Sequence, residues 1–460
     1  MFQEKYDKSS VQSIVAYAAL LTGKSLDEVV TLPGDVENLK NKGDLGRLVE
    51  THFFEIDPSN QHIDFPEANL ELKVTGLLTK SNGSFSAKER LVLGMINFHD
   101  LVEEDWETSY VYIKCQLMLI LFYLYKKDGP RVDQKFVLPP LLYEINDWDA
   151  AELKRDWQII RSKVLAGKAH ELSEGDTFLL GACRKGSGGD KEALRSQPKS
   201  DVLAKSRAFS FKPSYLNRII QRHQGGHTPV ENYGQLSFEE SILLKFKPFL
   251  GKRVAAISEE LNFHKSGRHH KGFLSDLSRR MLGTNKKLLP EFQDNAIEMK
   301  TVRVESNGVP REHMSFPQID FDAIRNQSWE ESEFFEKVER KFLFVVFNRD
   351  RDDNLTFTKV FFWNMPYEDR LLAGGVWEAT KEAIEASDTN FPRAKESRVA
   401  HVRPKARNSS DTAELPDGTR FPKQAFWLNR EYVAKVVQSA ENSRSTWGAN
   451  QPTAGGAFNG

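Results

Sequence analysis

The chain has 460 residues, a formal net charge of −1, 39% hydrophobic and 28% charged residues. That length is enough for two or three domains with cores of their own. The near-zero charge excludes a protein that coats nucleic acid through bulk positive charge, so any DNA contact has to be local. Two cysteines, Cys115 and Cys183, exclude a disulfide framework and a four-cysteine metal site, and point to a reduced, cytoplasmic setting.

In chain order, Met1–Ser10 carries Glu4 and Asp7 without an apolar core, unlike a signal peptide. Periodicity predicts a helix over Val11–Leu21, a turn at Leu26–Val30 and a helix near Asp44–Phe54. Strands are expected around Ile63–Phe65, Leu70–Leu77, Glu89–Met95 and Lys114–Tyr125. The apolar run Leu117–Tyr125 is too short to span a bilayer and reads as a buried strand. A helix over Ala150–Ala166 precedes a basic loop from Ala182, and Pro213–Gln221 forms a last short helix.

Within this order, Asp64-Phe65-Pro66-Glu67-Ala68-Asn69-Leu70-Glu71-Leu72-Lys73 carries the most chemistry. Side chains alternate along a strand, so Glu71 and Lys73 share one face and Leu72 points into the core. A turn around Pro66–Asn69 returns Asp64 to the side of Glu71. Two carboxylates and the Leu72 carbonyl are the hard oxygen ligands that suit Mg²⁺, and Lys73 is placed to orient an attacking water. A lone acid-x-lysine triplet is weak, since about five arise by chance at this composition.

The surroundings of the motif occur twice. Gly23-Lys24 recurs as Gly251-Lys252, and Lys42-Gly43 as Lys271-Gly272. Leu70-Glu71-Leu72-Lys73 recurs as Ile297-Glu298-Met299-Lys300, and Trp106-Glu107-Thr108-Ser109 as Trp329-Glu330-Glu331-Ser332. Lys114 before its apolar strand is matched with Lys341, and Ala208-Phe209-Ser210-Phe211 with Ala425-Phe426-Trp427-Leu428. Collinear matches at a nearly constant offset predict two copies of one α/β domain, each a mixed sheet flanked by helices. The expected boundaries are 1–228 and 236–442, with a disordered Gly/Ser/Asn-rich tail over 443–460.

The motifs Leu21-Thr22-Gly23-Lys24-Ser25-Leu26, Lys42-Gly43, Asp64-Phe65-Pro66, Glu71-Leu72-Lys73 and Trp106-Glu107-Thr108-Ser109 resemble the MutH family of mismatch-repair nicking endonucleases. Their duplication in one chain resembles the Sau-type restriction endonucleases, which cut GATC. The resemblance implies two tandem MutH-like domains of the restriction-endonuclease-like fold. It implies Asp64 and Glu71 as metal ligands with the Leu72 carbonyl, Mg²⁺ as cofactor, and Lys73, Lys114 and Glu50 as further catalytic residues. Arg184 and Lys185 stand where the family's major-groove loop would be, while Ser210 and Lys212 follow as DNA-side positions. Ser210 replaces a tyrosine linked in the family to adenine methylation, which favours the restriction branch.

In the second copy Glu291 matches Asp64, and Arg279 matches Glu50, where a cation would compete with Mg²⁺ for the carboxylates. Arg403 and Lys405, in His401-Val402-Arg403-Pro404-Lys405, resemble the recognition loop, so the second copy is expected to be a DNA-binding pseudo-nuclease. Double-stranded DNA containing GATC is the expected partner, cut to 5′-phosphate ends by a type II restriction endonuclease. A cognate DNA methyltransferase would protect host sites without having to bind the chain. No membrane partner is expected, and the chain should be a monomer in solution that pairs on DNA. The rival expectations are a repair nickase and a non-catalytic two-domain DNA-binding regulator.

Overall fold

The computed structural model describes residues 5–33, 43–57, 63–185, 194–225, 236–263, 272–284, 292, 297–440 and 447–448. The chain divides into two compact units. One comprises Met1–Leu172, Asp176–Lys185 and Ala193–Asn232; the other comprises Ser173–Gly175, Gly186–Glu192 and Tyr233–Gly460.

The first unit opens on α1 (Val11–Ala18), capped by the Ser10 hydroxyl, which accepts from Ser13 N. Gly43, left-handed at φ 96°, starts α2 (Asp44–Leu48), which runs into one π turn at Val49–Phe53. Then come β1 (Glu71–Thr79), β2 (Phe85–Ala87), β3 (Leu91–Met95), α3 (Phe98–Leu101), α4 (Tyr110–Gln116), β4 (Leu117–Leu124) and β5 (Leu141–Glu144). The long α5 (Asp147–Leu165) has Asn146 as its cap and Asp147 and Asp149 in its first turn, where the helix dipole favours acids. β6 (Leu180–Arg184), β7 (Leu194–Gln197), β8 (Ser200–Lys205), β9 (Arg207–Phe211) and α6 (Pro213–His223) complete the unit.

Its main sheet has the order β2-β1-β4-β5, with β1 and β4 parallel and both outer pairs antiparallel. A smaller sheet has the order β3-β9-β6, and among the described residues β7 pairs only with β8. Ile14, Leu48, Phe53, Phe54, Leu70, Leu72 and Leu119 form the core against which the Glu71 end of β1 is set. β2 covers only Leu77–Thr79, and among the described residues no strand pairs with the same edge of β1 at Glu71–Lys73.

The second unit repeats the plan through α7 (Phe238–Phe246), α8 (Val254–Glu260), α9 (Phe273–Met281), β10 (Ile297–Val304), β11 (Met314–Gln318), α10 (Phe321–Arg325), α11 (Glu333–Val338), β12 (Lys341–Arg349), β13 (Leu355–Trp363) and α12 (Tyr367–Glu385). It ends with β14 (Ala400–Pro404), β15 (Thr412–Glu414), β16 (Arg420–Pro422), β17 (Gln424–Leu428), α13 (Arg430–Ser439) and β18 (Trp447–Gly448). The sheets β10-β12-β13-β18 and β11-β17-β14 and the ribbon β15-β16 parallel those of the first unit, again with β10 and β12 parallel.

Local geometry repeats as closely as topology. Gly23 N donates to Phe136 O at 2.7 Å and Phe136 N to Lys24 O at 2.8 Å; Gly251 N donates to Phe357 O at 2.9 Å and Phe357 N to Lys252 O at 3.0 Å. Gly23 and Gly251 both turn at positive φ, 79° and 78°, which a side chain would strain. Ser109 caps α4 while donating to Trp106 O at 2.7 Å, and Ser332 caps α11 while donating to Trp329 O at 2.6 Å.

Three expectations are corrected. Lys114 does not begin a strand; it lies in the last turn of α4, and β4 starts at Leu117. Lys341 is not the counterpart of Lys114. It is the first residue of β12, opposite Ile297, whereas counting from the Ser332 cap as from Ser109 leads to Lys337. In the tail, Trp447–Gly448 pairs with Lys359 and Val360 of β13, so at least these two residues are ordered strand. The rest of 443–460, Lys42, Lys271 and Glu291 lie outside the described residues. Among the described residues no helix is long and apolar enough to cross a membrane.

Candidate active site

The site forms at the N-terminal end of β1. Pro66–Ala68 make one 3₁₀ turn, Asn69 takes the left-handed conformation at φ 50°, and Phe65 and Leu70 close the loop with reciprocal backbone bonds of 3.0 and 3.1 Å. Asparagine tolerates that conformation better than most residues, which explains a reversal this tight. The turn brings Asp64 back onto the strand, where its Oδ2 accepts from Leu72 N at 2.7 Å. In an extended residue N–H and C=O point to the same strand edge, so the Leu72 carbonyl faces the Asp64 side, the edge that β2 leaves open.

Glu71 is the hub and is 1% exposed. Its Oε1 accepts from Lys73 Nζ, next along the same face, and from Lys114 Nζ at 2.9 Å. Its Oε2 is buried and has no hydrogen-bond partner. A buried carboxylate oxygen left bare is costly unless something else meets it. Glu50 approaches from the π turn after α2. Burial, then the negative charge of Asp64, pushes its carboxyl up to about 7, while Lys73 and Lys114 pull the other way. Burial, then Glu71, pushes Asp64 up to about 6. Protons are therefore favoured where acids crowd together, and a cation would relieve the same repulsion.

This donor set fits one hard divalent cation. Among the described residues no three His, Cys, Asp or Glu side chains are already gathered to hold a metal. The site offers instead two carboxylates, one with a bare oxygen, and a backbone carbonyl on an open edge. An octahedral hard cation completes such a shell with water and phosphate oxygens.

The residues expected on the DNA side fall into three groups. Arg184 closes β6 opposite Arg207, and Lys185 N donates to Ser206 O at 2.9 Å, so both stand at the stem of the segment 186–193, which lies outside the described residues. Arg403 is exposed on β14 with its guanidinium 5.2 Å from the Trp427 ring centre; Lys405 Nζ sits 6.0 Å from that ring and donates to Phe316 O. Ser210 and Lys212 do not reach the surface. Ser210 is 0% exposed on β9, the central strand of its sheet, and Lys212 is 5% exposed, with Nζ donating to Thr177 O. Both therefore support the core and touch no duplex in this arrangement.

The second unit keeps part of the set. Lys300 Nζ donates to Glu298 Oε1 at 3.0 Å, and Glu298 Oε2 is buried without a partner, as in Glu71. Arg279 does not occupy that oxygen: its guanidinium is held by Asp276 and, at 2.9 Å, by Ser275 Oγ on its own helix. The expected competition with the carboxylates is thus not seen. Among the described residues, what distinguishes the unit is Arg279 in the place of Glu50 and a single lysine, Lys300, on Glu298.

Sequence reasoning missed the structural role of Asp156. It is fully buried and its carboxylate accepts from the backbone N–H groups of Phe178, Leu179 and Leu180 at 2.9, 2.6 and 2.8 Å, holding the start of β6. A lone acid in an amphipathic helix carries no signal for that contact.

Comparison with known proteins agrees with this architecture. Residues 54–156 and 282–372 match the family described as DNA mismatch repair enzyme MutH, one match in each unit. The type II restriction enzyme Sau3AI of Staphylococcus aureus is 31% identical, over 93% of this chain and 98% of its own length. MutH proteins of Shewanella woodyi and Vibrio vulnificus are 26% and 25% identical over 48% and 45% of this chain, and almost their whole length, 96% and 95%, is matched. Two tandem MutH-type units along one chain, and full-length kinship with a restriction enzyme, make this chain a member of the MutH/Sau3AI family of site-specific endonucleases.

Proposed function

We propose that the chain is a Mg²⁺-dependent type II restriction endonuclease that hydrolyses double-stranded DNA at GATC and leaves 5′-phosphate ends. The observation that carries this reading is the first unit's cluster: Asp64, Glu50 and a Glu71 with one oxygen bare, beside two lysines, on an open strand edge. Binding alone would not need three acids facing a polyanion. Held by Asp64, Glu71 and the Leu72 carbonyl, Mg²⁺ would acidify a bound water and offset charge on the scissile phosphate. Lys73 and Lys114 fix Glu71 through Oε1 and set two ammonium groups where phosphate charge develops. Glu50, titrating near neutrality, is matched to accept the water's proton. Hydrolysis of a duplex carrying one GATC, but not of one carrying GTAC, in Mg²⁺ and not in EDTA, tests the reading; equal cutting of both, or of neither, contradicts it.

Lys185 is assigned to base reading, since a lysine donor suits guanine O6 and N7. Lys185→Ala should weaken binding to GATC by roughly 1–3 kcal/mol while changing random-duplex binding little. Equal losses on both duplexes in a competition assay would reduce Lys185 to a phosphate contact.

The second unit is assigned to DNA binding without cleavage, through Arg403 and the ring of Trp427. Among the described residues only the first unit holds a complete acid–lysine cluster, which cannot cut both strands of a palindrome at once, so two chains, monomeric in solution, would pair on DNA. Plasmids with two GATC sites should then be linearised faster than one-site plasmids, and added GATC oligonucleotide should rescue the latter. Equal initial rates without rescue would leave the second unit a simple clamp.

A further inference from the structure

The ribbon β7–β8 stands apart from both larger sheets of its unit, and its base is clamped. Gln197, 4% exposed, accepts from Ala169 N at 2.7 Å, donates to Val202 O, and lies 3.0 Å from His170 Nδ1. Gly167, at φ 71°, packs so tightly beneath Lys199 that a Cβ would come within 2.7 Å of the Lys199 carbonyl oxygen. His99 Nε2 and Ser196 Oγ, 3.1 Å apart, tie β7 to α3.

What this braced ribbon presents outward is apolar. Leu194, Val202 and Leu203 are 48%, 52% and 51% exposed. Leu194 lies opposite Lys205, and alternation along β8 puts Leu203 on the same face, diagonal to Leu194. Lys205 shares that face, as by the same alternation does Asp201; Arg195, opposite Ala204, lies on the other face, and Lys199 is exposed at the turn. The second unit's ribbon does the opposite: Phe421 of β16 packs on the core, 5.8 Å from the Phe391 ring.

A major groove admits a two-stranded ribbon between its phosphates, and the apolar group it offers there is the thymine 5-methyl. Lys205 beside Leu194, Lys199 at the turn and Arg195 along the edge set cations next to the leucines, and β7 follows the Arg184-Lys185 stem along the chain. We propose that the β7–β8 ribbon is a second reading element, in which Leu194 and Leu203 pack on thymine methyl groups of the recognised site. The inference rests on the endonuclease reading above and deepens it by naming a specificity contact.

The test is to give the full chain, with Mg²⁺, duplexes carrying GATC or GAUC on both strands. At about fourfold for each of the two buried methyls, the thymine duplex should be cut and bound about fifteenfold better. Leu194→Asn with Leu203→Asn, exposed positions that leave the melting temperature unchanged, should lower activity on GATC and abolish the preference. Binding competition between the two duplexes reads the ratio even for a slow variant. A wild type that cuts both duplexes equally, or a double variant that keeps the preference, overturns this proposal alone. A wild type that cuts neither overturns the endonuclease reading itself.

Discussion

Glu71→Ala and Asp64→Ala should each lower GATC cleavage at least about a thousandfold while DNA binding stays within a few-fold of wild type. On the proposed roles each variant removes one of the two carboxylates that hold the ion, so the step that needs the ion fails. Binding behaves differently. Lys73 and Lys114 both donate to Glu71, and without that carboxylate two ammonium groups are released toward the DNA phosphate. Glu71→Ala should therefore bind duplex as tightly as wild type or more tightly. The lysines are partly exposed, at 18% and 17%, so losing their partner does not strand buried charge and the fold should survive. Cleavage rates, binding isotherms and melting curves on the same preparations separate these effects. A variant of either acid that cuts at wild-type rate refutes the active-site assignment.

Mg²⁺ dependence should steepen sharply below pH 7. The carboxyls of Asp64 and Glu50 titrate at about 6 and about 7, above ordinary carboxyl values, because they are buried beside other acids. Their folded values are raised, so without metal the native state binds more protons than the unfolded chain between about pH 4 and pH 7. Metal-free stability should accordingly fall as pH rises through that window. The ion needs the ionised forms, so protons compete with it. Going from pH 8 to pH 5 should weaken Mg²⁺ binding about tenfold if only Asp64 must ionise, and about a thousandfold if Glu50 must as well. Glu50→Gln should flatten the steeper dependence to the shallower one and stabilise the metal-free protein at pH 8 by roughly 1–3 kcal/mol. Melting temperatures and half-maximal Mg²⁺ concentrations across pH provide the check; a requirement constant from pH 5 to pH 8 would contradict the placement of both acids.

How far such a site can be read from sequence depends on the range of the forces that build it. The Asp64–Lys73 stretch was legible because strand alternation and a proline-to-asparagine turn are local rules, and the structure shows both. The duplication was legible because glycine turns and serine caps have fixed local geometry, repeated at Gly23 and Gly251 and at Ser109 and Ser332. Tertiary placement was harder to read. Tyr110–Gln116 is rich in β-prone residues, yet the Ser109 cap starts a helix there, which moves Lys114 from a strand to a helix end and into reach of Glu71. Ser210 and Lys212 look polar and accessible in sequence, but β9 runs between β3 and β6, so neither reaches solvent. Arg279 looked like a competitor for the metal site until its own helix supplied Asp276 and Ser275 as nearer partners. The leucines of β7–β8 carried no signal either: one leucine in β7 and a short apolar run in β8 do not say which face is covered, and only the assembled ribbon shows Leu194 and Leu203 exposed.

The most direct measurement is to digest a plasmid of known sequence with the full chain and Mg²⁺, with Glu71→Ala alongside, and to sequence every end. The account predicts ends at GATC alone, each bearing a 5′-phosphate, and none from the variant or in EDTA. Ends at unrelated sequences, ends lacking the 5′-phosphate, or the same ends from the variant would contradict it.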